Sequence, residues 1–227
     1  MIERGIEAES KMKTDELIGM LAANAGVVAE PLQPGAWQRF AMALGWGAFA
    51  ATLLMAILLG VRDDLREAAL LPMFWVKLAF PVAVAAGALV ASRRLGTPGM
   101  ALGRVGMALA APVLVMWALA AVSLASAGAG EREALLFGVS WQECMLYVTL
   151  LALPVLVAGF WALRGLAPTQ PALAGGAAGL LAGATGAAVY ALHCPELAAP
   201  FLGVWYLCGM IIPAVAGAIC GRAILRW

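Results

Sequence analysis

Residues 144–194 read CMLYVTLLALPVLVAGFWALRGLAPTQPALAGGAAGLLAGATGAAVYALHC and hold one charged side chain, Arg164. Two uncharged runs, 145–163 and 172–192, flank a short break at 164–171 that contains Arg, Gly and Pro. A hydrocarbon core about 30 Å thick is crossed by about 20 residues at about 1.5 Å each. Each run is therefore long enough to span a membrane. Lipid offers backbone polar groups no water, so each span must be helical. The stretch reads as a transmembrane hairpin whose far ends, at Cys144 and Cys194, return to one height.

The same pattern recurs outward from it. Further uncharged or nearly uncharged runs lie at 41–61, 73–92, 105–127 and 201–221, separated by short breaks rich in charge, Gly or Pro. Hydrophobic residues make up 64% of the 227-residue chain and charged ones 12%, against the roughly 45–50% apolar share of soluble domains. The expected fold class is all-α, a polytopic membrane protein with six transmembrane helices. Residues 41–227 form the bundle, and residues 1–40 form an N-terminal segment. The net charge of +1 gives no global field that would favour nucleic acid, so no direct nucleic-acid binding is expected.

Orientation follows from the basic residues near the spans. With the N-terminus inside, that side carries Arg4, Lys11, Lys13, Arg39, Arg93, Arg94, Arg104, Arg164, Arg222 and Arg226, and the other carries Arg62, Arg66, Lys77 and Arg132. Both termini are expected in the cytoplasm. The first 40 residues lack the pattern of a cleavable signal peptide. Met12 opens a cleaner segment than the mixed residues before it and reads as the natural start. Thr14 is placed as an N-cap with Asp15 and Glu16 in the first turn, and Leu17, Ile18, Leu21 and Ala22 form an apolar stripe. So short a helix is marginal alone in water and needs a surface. The bundle's own face, lipid headgroups and a soluble partner all remain open.

Some features are structural in expectation. Gly175, Gly179, Gly183, Ala187 and Ala191 form a four-residue ridge on the fifth span, and Ala79, Ala83, Gly87 and Ala91 repeat it on the second, each for close approach of a neighbour. Cys208 and Cys220, in the sixth span, read as buried small hydrophobes. Lys77 is the one Lys or Arg clearly inside a span. Its stem would let it snorkel, or it would pair with Asp63, Asp64, Glu67, Glu143 or Glu196. With no second intramembrane charge there is no visible proton relay, which counts against a pump.

Cys144 and Cys194 face the non-cytoplasmic side in this topology, where an oxidising compartment permits a disulfide or a redox-responsive pair. His193, Glu143 and Glu196 are accessory candidates that, with the two thiols, would offer a soft metal a transient site. No resident cofactor is expected, and the spacing carries no recognisable metal motif. No catalytic residues are assigned and no enzyme activity is expected. A membrane thiol oxidoreductase and a small metal or solute transporter are the alternatives.

Residues 12–18 (MKTDELI), 72–81 (PMFWVKLAFP) and 93–99 (RRLGTPG), Trp141 with Cys144, and His193-Cys194-Pro195-Glu196 before Trp205 resemble the negative regulator of sigma-F (NrsF) family. The resemblance runs from Met12 almost to the end. It implies a six-helix anti-sigma factor of the bacterial inner membrane, whose cytoplasmic N-terminal segment sequesters an extracytoplasmic-function sigma factor and releases it on envelope stress, metal or redox. The sensor thiols would be Cys144 and Cys194. Leu17, Ile18 and Leu21 would anchor the sigma factor, with Asp15 and Glu16 against its basic surface. The fifth span, carrying Cys194 and the glycine ridge, is the element expected to slide.

Overall fold

The spans stop where the sequence supplies helix-ending residues. The computed structural model describes residues 14, 18–20, 34–97, 99–166 and 168–225. Within it six helices are long and apolar enough to cross a bilayer: α1 (Trp37–Leu58), α2 (Pro72–Gly96), α3 (Val105–Ser126), α4 (Trp141–Arg164), α5 (Pro171–Tyr190) and α6 (Ala199–Ile224). Pro72 and Pro171 open α2 and α5 at positions where the missing N–H has no helical acceptor to lose. After α1, Gly60 turns the chain at φ 74°, with its N–H bonded to the Met55 carbonyl. Short helices, Leu65–Ala68 and Arg132–Phe137, sit in the α1–α2 and α3–α4 connections. The described residues contain no strand.

Residues 38–227 form one unit, organised around α5. This helix packs on α6, α4 and α2, and most of its residues are buried. Its small side chains explain why. A Cβ added at Gly175 would collide with the Gly217 carbonyl, and one at Gly179 with the Pro213 carbonyl. One at Gly183 would lie 2.7 Å from the Met210 carbonyl, and one at Gly186 2.7 Å from that of Val148. Thus α5 meets α6 along one ridge and α4 at Gly186, backbone against backbone. In lipid, where apolar side chains gain nothing by leaving the solvent, such close packing holds helices together. The helix expected to slide packs backbone against backbone on both neighbours.

The second four-residue ridge does not form as expected. Gly87 and Ala91 are buried, Gly87 against Leu109 of α3, but Ala79 and Ala83 are exposed. Each step of four residues advances about 40° around a helix with 3.6 residues per turn, so the row winds off the contact. The face that α2 buries runs instead through Phe74, Lys77, Pro81, Val84, Ala88, Ala91 and Leu95, in mixed steps of three and four. Cys208 is half-buried and Cys220 exposed, contrary to the expectation that both are core hydrophobes.

In the separate N-terminal unit, residues 1–37, Thr14 and residues 18–20 are helical. Ile18 is 56% exposed and Met20 48%. Met12, Asp15, Glu16, Leu17 and Leu21 lie outside the described residues.

A candidate sensory site at the cap of the bundle

The end of the bundle opposite Arg164 is closed by the connections at 59–71, 127–140 and 191–198. The turn His193-Cys194-Pro195-Glu196 lies at its centre, and its main chain is the shared acceptor of the cap. It forms because α5 ends in a tightened turn: the Cys194 N–H donates to the Tyr190 carbonyl at 3.0 Å, and Pro195 cannot continue the helix.

Two cations converge on this turn. The Lys77 ammonium donates to the Cys194 carbonyl at 2.5 Å and the Glu196 carbonyl at 2.9 Å, and lies 5.7 Å from the centre of the Tyr206 ring. Arg62 donates from Nη1 to the Cys194 carbonyl at 3.2 Å, and its main-chain N–H reaches the Leu192 carbonyl. Its other two guanidinium nitrogens grip Asp64 in a fork, both contacts 2.6 Å. That fork holds the Asp64 carboxyl below its usual range and raises Arg62. The depressed Asp64 contributes stability above the ordinary carboxylate range, and this is lost as pH falls through the folded value. Asp64 is exposed, so the contribution is small.

Lys77 neither snorkels nor pairs with a carboxylate. It is fully buried, and among the described residues the one ion pair within 4.0 Å is Arg62–Asp64. Main-chain carbonyls take the place of the acidic partner the sequence led one to seek. Of the five carboxylate residues considered, only Glu196 touches Lys77, and it does so through its backbone.

The accessory candidates have separate occupations. His193 Nδ1 lies 2.9 Å from the Gly60 carbonyl, joining the turn to the α1–α2 connection. The Glu196 carboxylate accepts the Val139 N–H at 2.9 Å, beside Gly138, whose φ of 54° suits glycine. Glu143 is exposed in the first turn of α4. Among the described residues no three His, Cys, Asp or Glu side chains gather as a metal site would require.

Both of the expected outer cysteines lie in the buried core. Cys144 and Cys194 are free, both 0% exposed, and both belong to one buried cluster with Tyr190, Tyr206, Phe201 and Leu202. The Tyr206 hydroxyl is buried with no hydrogen-bond partner among the described residues. The α6 segment beneath them, Leu202–Tyr206, is a π-helical turn. Its Gly203 carbonyl receives the Trp117 indole N–H at 3.0 Å, which ties α3 to the irregular turn. Trp205 in the same turn stacks at 4.7 Å on Trp141 and donates to the Leu136 carbonyl. The sequence reading missed Arg62, Tyr190, Tyr206 and Trp117. Tyr190 carried a signal, since it stands near the end of the 172–192 run, where a phenol commonly finds a polar neighbour.

A family model described as negative regulator of sigma F matches residues 21–227. The chain belongs to the NrsF family. It is 55% identical over 216 residues to the probable anti-sigma-F factor NrsF of Azospira oryzae, covering 95% of this chain and all of that protein. It is 42% identical over 218 residues to the anti-sigma-F factor NrsF of Caulobacter vibrioides, again covering 95% of this chain and all of that one. No solved structure matches. For an NrsF-family negative regulator, a cap that joins two buried thiols to three interhelical connections is the chemically distinctive part of the bundle.

The Lys77 contacts predict the effect of removing them. In Lys77→Met the Glu196 carbonyl loses the partner described here, while the Cys194 carbonyl keeps Arg62. Charge-assisted hydrogen bonds are each worth about 1.5–3 kcal/mol, and relief of burying an ammonium offsets part of this. A net loss of about 1–2 kcal/mol is expected. Thermal unfolding in detergent and the alkylation rate of Cys194 report it, the latter rising about tenfold as the turn opens more often.

Proposed function

We propose that this chain is a membrane-bound anti-sigma factor of the bacterial inner membrane. It holds an extracytoplasmic-function sigma factor on its cytoplasmic N-terminal segment and releases it when envelope stress, oxidant or thiophilic metal, reaches Cys144 and Cys194. Family membership supports the sigma partner, and the ten-to-four bias of basic residues supports cytoplasmic termini. The observation that carries the sensory part is the shared burial of the two thiols beneath a turn whose carbonyls solvate Lys77.

The arrangement supplies a physical input. Oxidation or metal capture at Cys194 moves the turn that carries it, and the same turn holds the acceptors of a buried ammonium on α2. An ammonium cannot be left without acceptors in so apolar a setting except at a cost of several kcal/mol. A change at the thiols therefore acts on α2, the helix that runs to the opposite end of the bundle at Arg93 and Arg94. On this reading α2, bound to the turn through Lys77, shifts between two states of different sigma affinity. The reduced state described here keeps both thiols covered, so reaction requires a local opening of the cap.

Transcription from a sigma-dependent promoter tests this reading. Cys144→Ser with Cys194→Ser is expected to keep basal repression and to remove induction by oxidant or thiophilic metal. Induction unchanged in the double variant places the input elsewhere.

A further inference from the structure

At the end of the bundle that carries Arg164, α4 and α6 part to leave a groove of about 390 Å³. From α4 it is lined by Leu156, Val157, Phe160, Trp161 and Arg164, and from α6 by Cys220 and Ile224. The α4 positions recur at helical spacing, so they form one column along the helix from its last turn inward. That column is polar at one end only. Arg164 is exposed in the last turn and has no carboxylate within 4.0 Å among the described residues. Trp161, one turn further in and 65% exposed, has the position of an interfacial indole. Phe160, 8% exposed, forms part of the floor, and Leu156 and Val157 continue the apolar wall.

We infer that this groove is a binding site for one anionic phospholipid, with its phosphate on Arg164 and an acyl chain along Phe160, Val157 and Leu156. Charge and depth together favour this occupant. A guanidinium binds phosphate through a planar fork; in the orientation proposed above, on which this inference rests, Arg164 is on the cytoplasmic side, where basic pockets between membrane helices take anionic headgroups. A second groove on the bundle provides a contrast. It measures about 360 Å³, lies between α2, α3, α5 and α6, and is lined by Leu95, Leu109, Leu173 and other uncharged residues without a cation. That groove offers an acyl chain a surface but a headgroup nothing. The Arg164 groove discriminates between lipids.

The chain carries its own reporter. Cys220 lines the groove and is the only exposed cysteine of the four. The full-length protein, purified and placed in phosphatidylglycerol or phosphatidylcholine bilayers, is labelled with a maleimide, and lipid retention is read separately by native mass spectrometry from an equimolar mixture. Expected are retention of one phosphatidylglycerol in at least fivefold preference to phosphatidylcholine, and Cys220 labelling at least threefold slower in phosphatidylglycerol. Arg164→Gln, at an exposed position, removes the preference. Val157→Trp, which fills the groove from a site already 68% exposed, removes retention of either lipid there while leaving Arg164 in place. Equal retention of the two lipids by the unmodified chain, or an undiminished preference in Arg164→Gln, overturns the inference.

Discussion

Replacing Gly179 with leucine abolishes the folded bundle. A single Cβ at this position falls on the Pro213 carbonyl and 2.8 Å from the Ala214 Cα, and the obstructing atoms are backbone. Side-chain repacking cannot relieve such a clash; α5 must move away from α6. The neighbouring contacts at Gly175, Gly217 and Gly221 would open with it. Overpacking a core ordinarily costs about 1–3 kcal/mol. Separating the central helix pair exceeds that and consumes a large part of the roughly 5–15 kcal/mol that holds a typical domain folded. Gly179→Ala should lower stability by more than the roughly 3 kcal/mol upper end of ordinary overpacking, and Gly179→Leu should yield no monodisperse protein on size-exclusion chromatography in mild detergent. Ala83→Leu, at an exposed position of α2, is expected to purify and melt like the unmodified chain.

Leu17→Asp with Leu21→Asp is expected to free the sigma factor without stress. The two leucines lie three and seven residues after Thr14, on the stripe that includes Ile18, and Ile18 is helical with its side chain mostly exposed. Burying a leucine contributes about 1.5–3 kcal/mol. Losing two such contacts, and placing two carboxylates against an apolar surface, weakens binding by about a hundredfold to ten-thousandfold. Sigma-dependent transcription should then rise to the level of a strain that lacks the regulator, with normal amounts of the variant in the membrane. Persistent repression at such levels moves the sigma-binding surface to another segment.

Much of the fold was legible because lipid imposes one rule on every span. Length and apolarity alone locate six helices, with ends within a few residues of those observed for most. The largest differences have local causes. α4 begins at Trp141 because its first turn, Trp-Gln-Glu-Cys, is polar yet helical, and hydropathy discounts such residues. The ridge on α5 was readable because glycine is costly in a helix unless something approaches it closely. The alanine row on α2 misled because alanine suits a lipid-facing position as well as a contact, so spacing alone had to decide.

The site was legible in part. Cys144 and Cys194 were placed at one height by counting residues along a hairpin, and both lie in the buried core. Lys77 was recognisable as unusual, but its partners were not. Sequence reasoning looks for a carboxylate opposite an ammonium, whereas main-chain carbonyls freed at a helix end have no letter in the sequence. Arg62 entered the sequence reading only as one of the basic residues that set orientation, and its carbonyl partners are likewise not written in the sequence. The accessory candidates differ in surroundings that spacing does not encode: His193 lies against the Gly60 carbonyl, Glu196 accepts from Val139, and Glu143 is exposed.

The most direct test of the central claim is retention of the sigma factor by the full-length chain, tagged and captured from detergent-solubilised membranes before and after cells meet an oxidant or a thiophilic metal. The sigma factor is expected to co-purify from unstressed cells, to be lost after stress, and to stay bound after stress in Cys144→Ser with Cys194→Ser. Loss of the sigma factor from the double variant to the same extent as from the unmodified chain, or its absence from the unstressed capture, would contradict the claim.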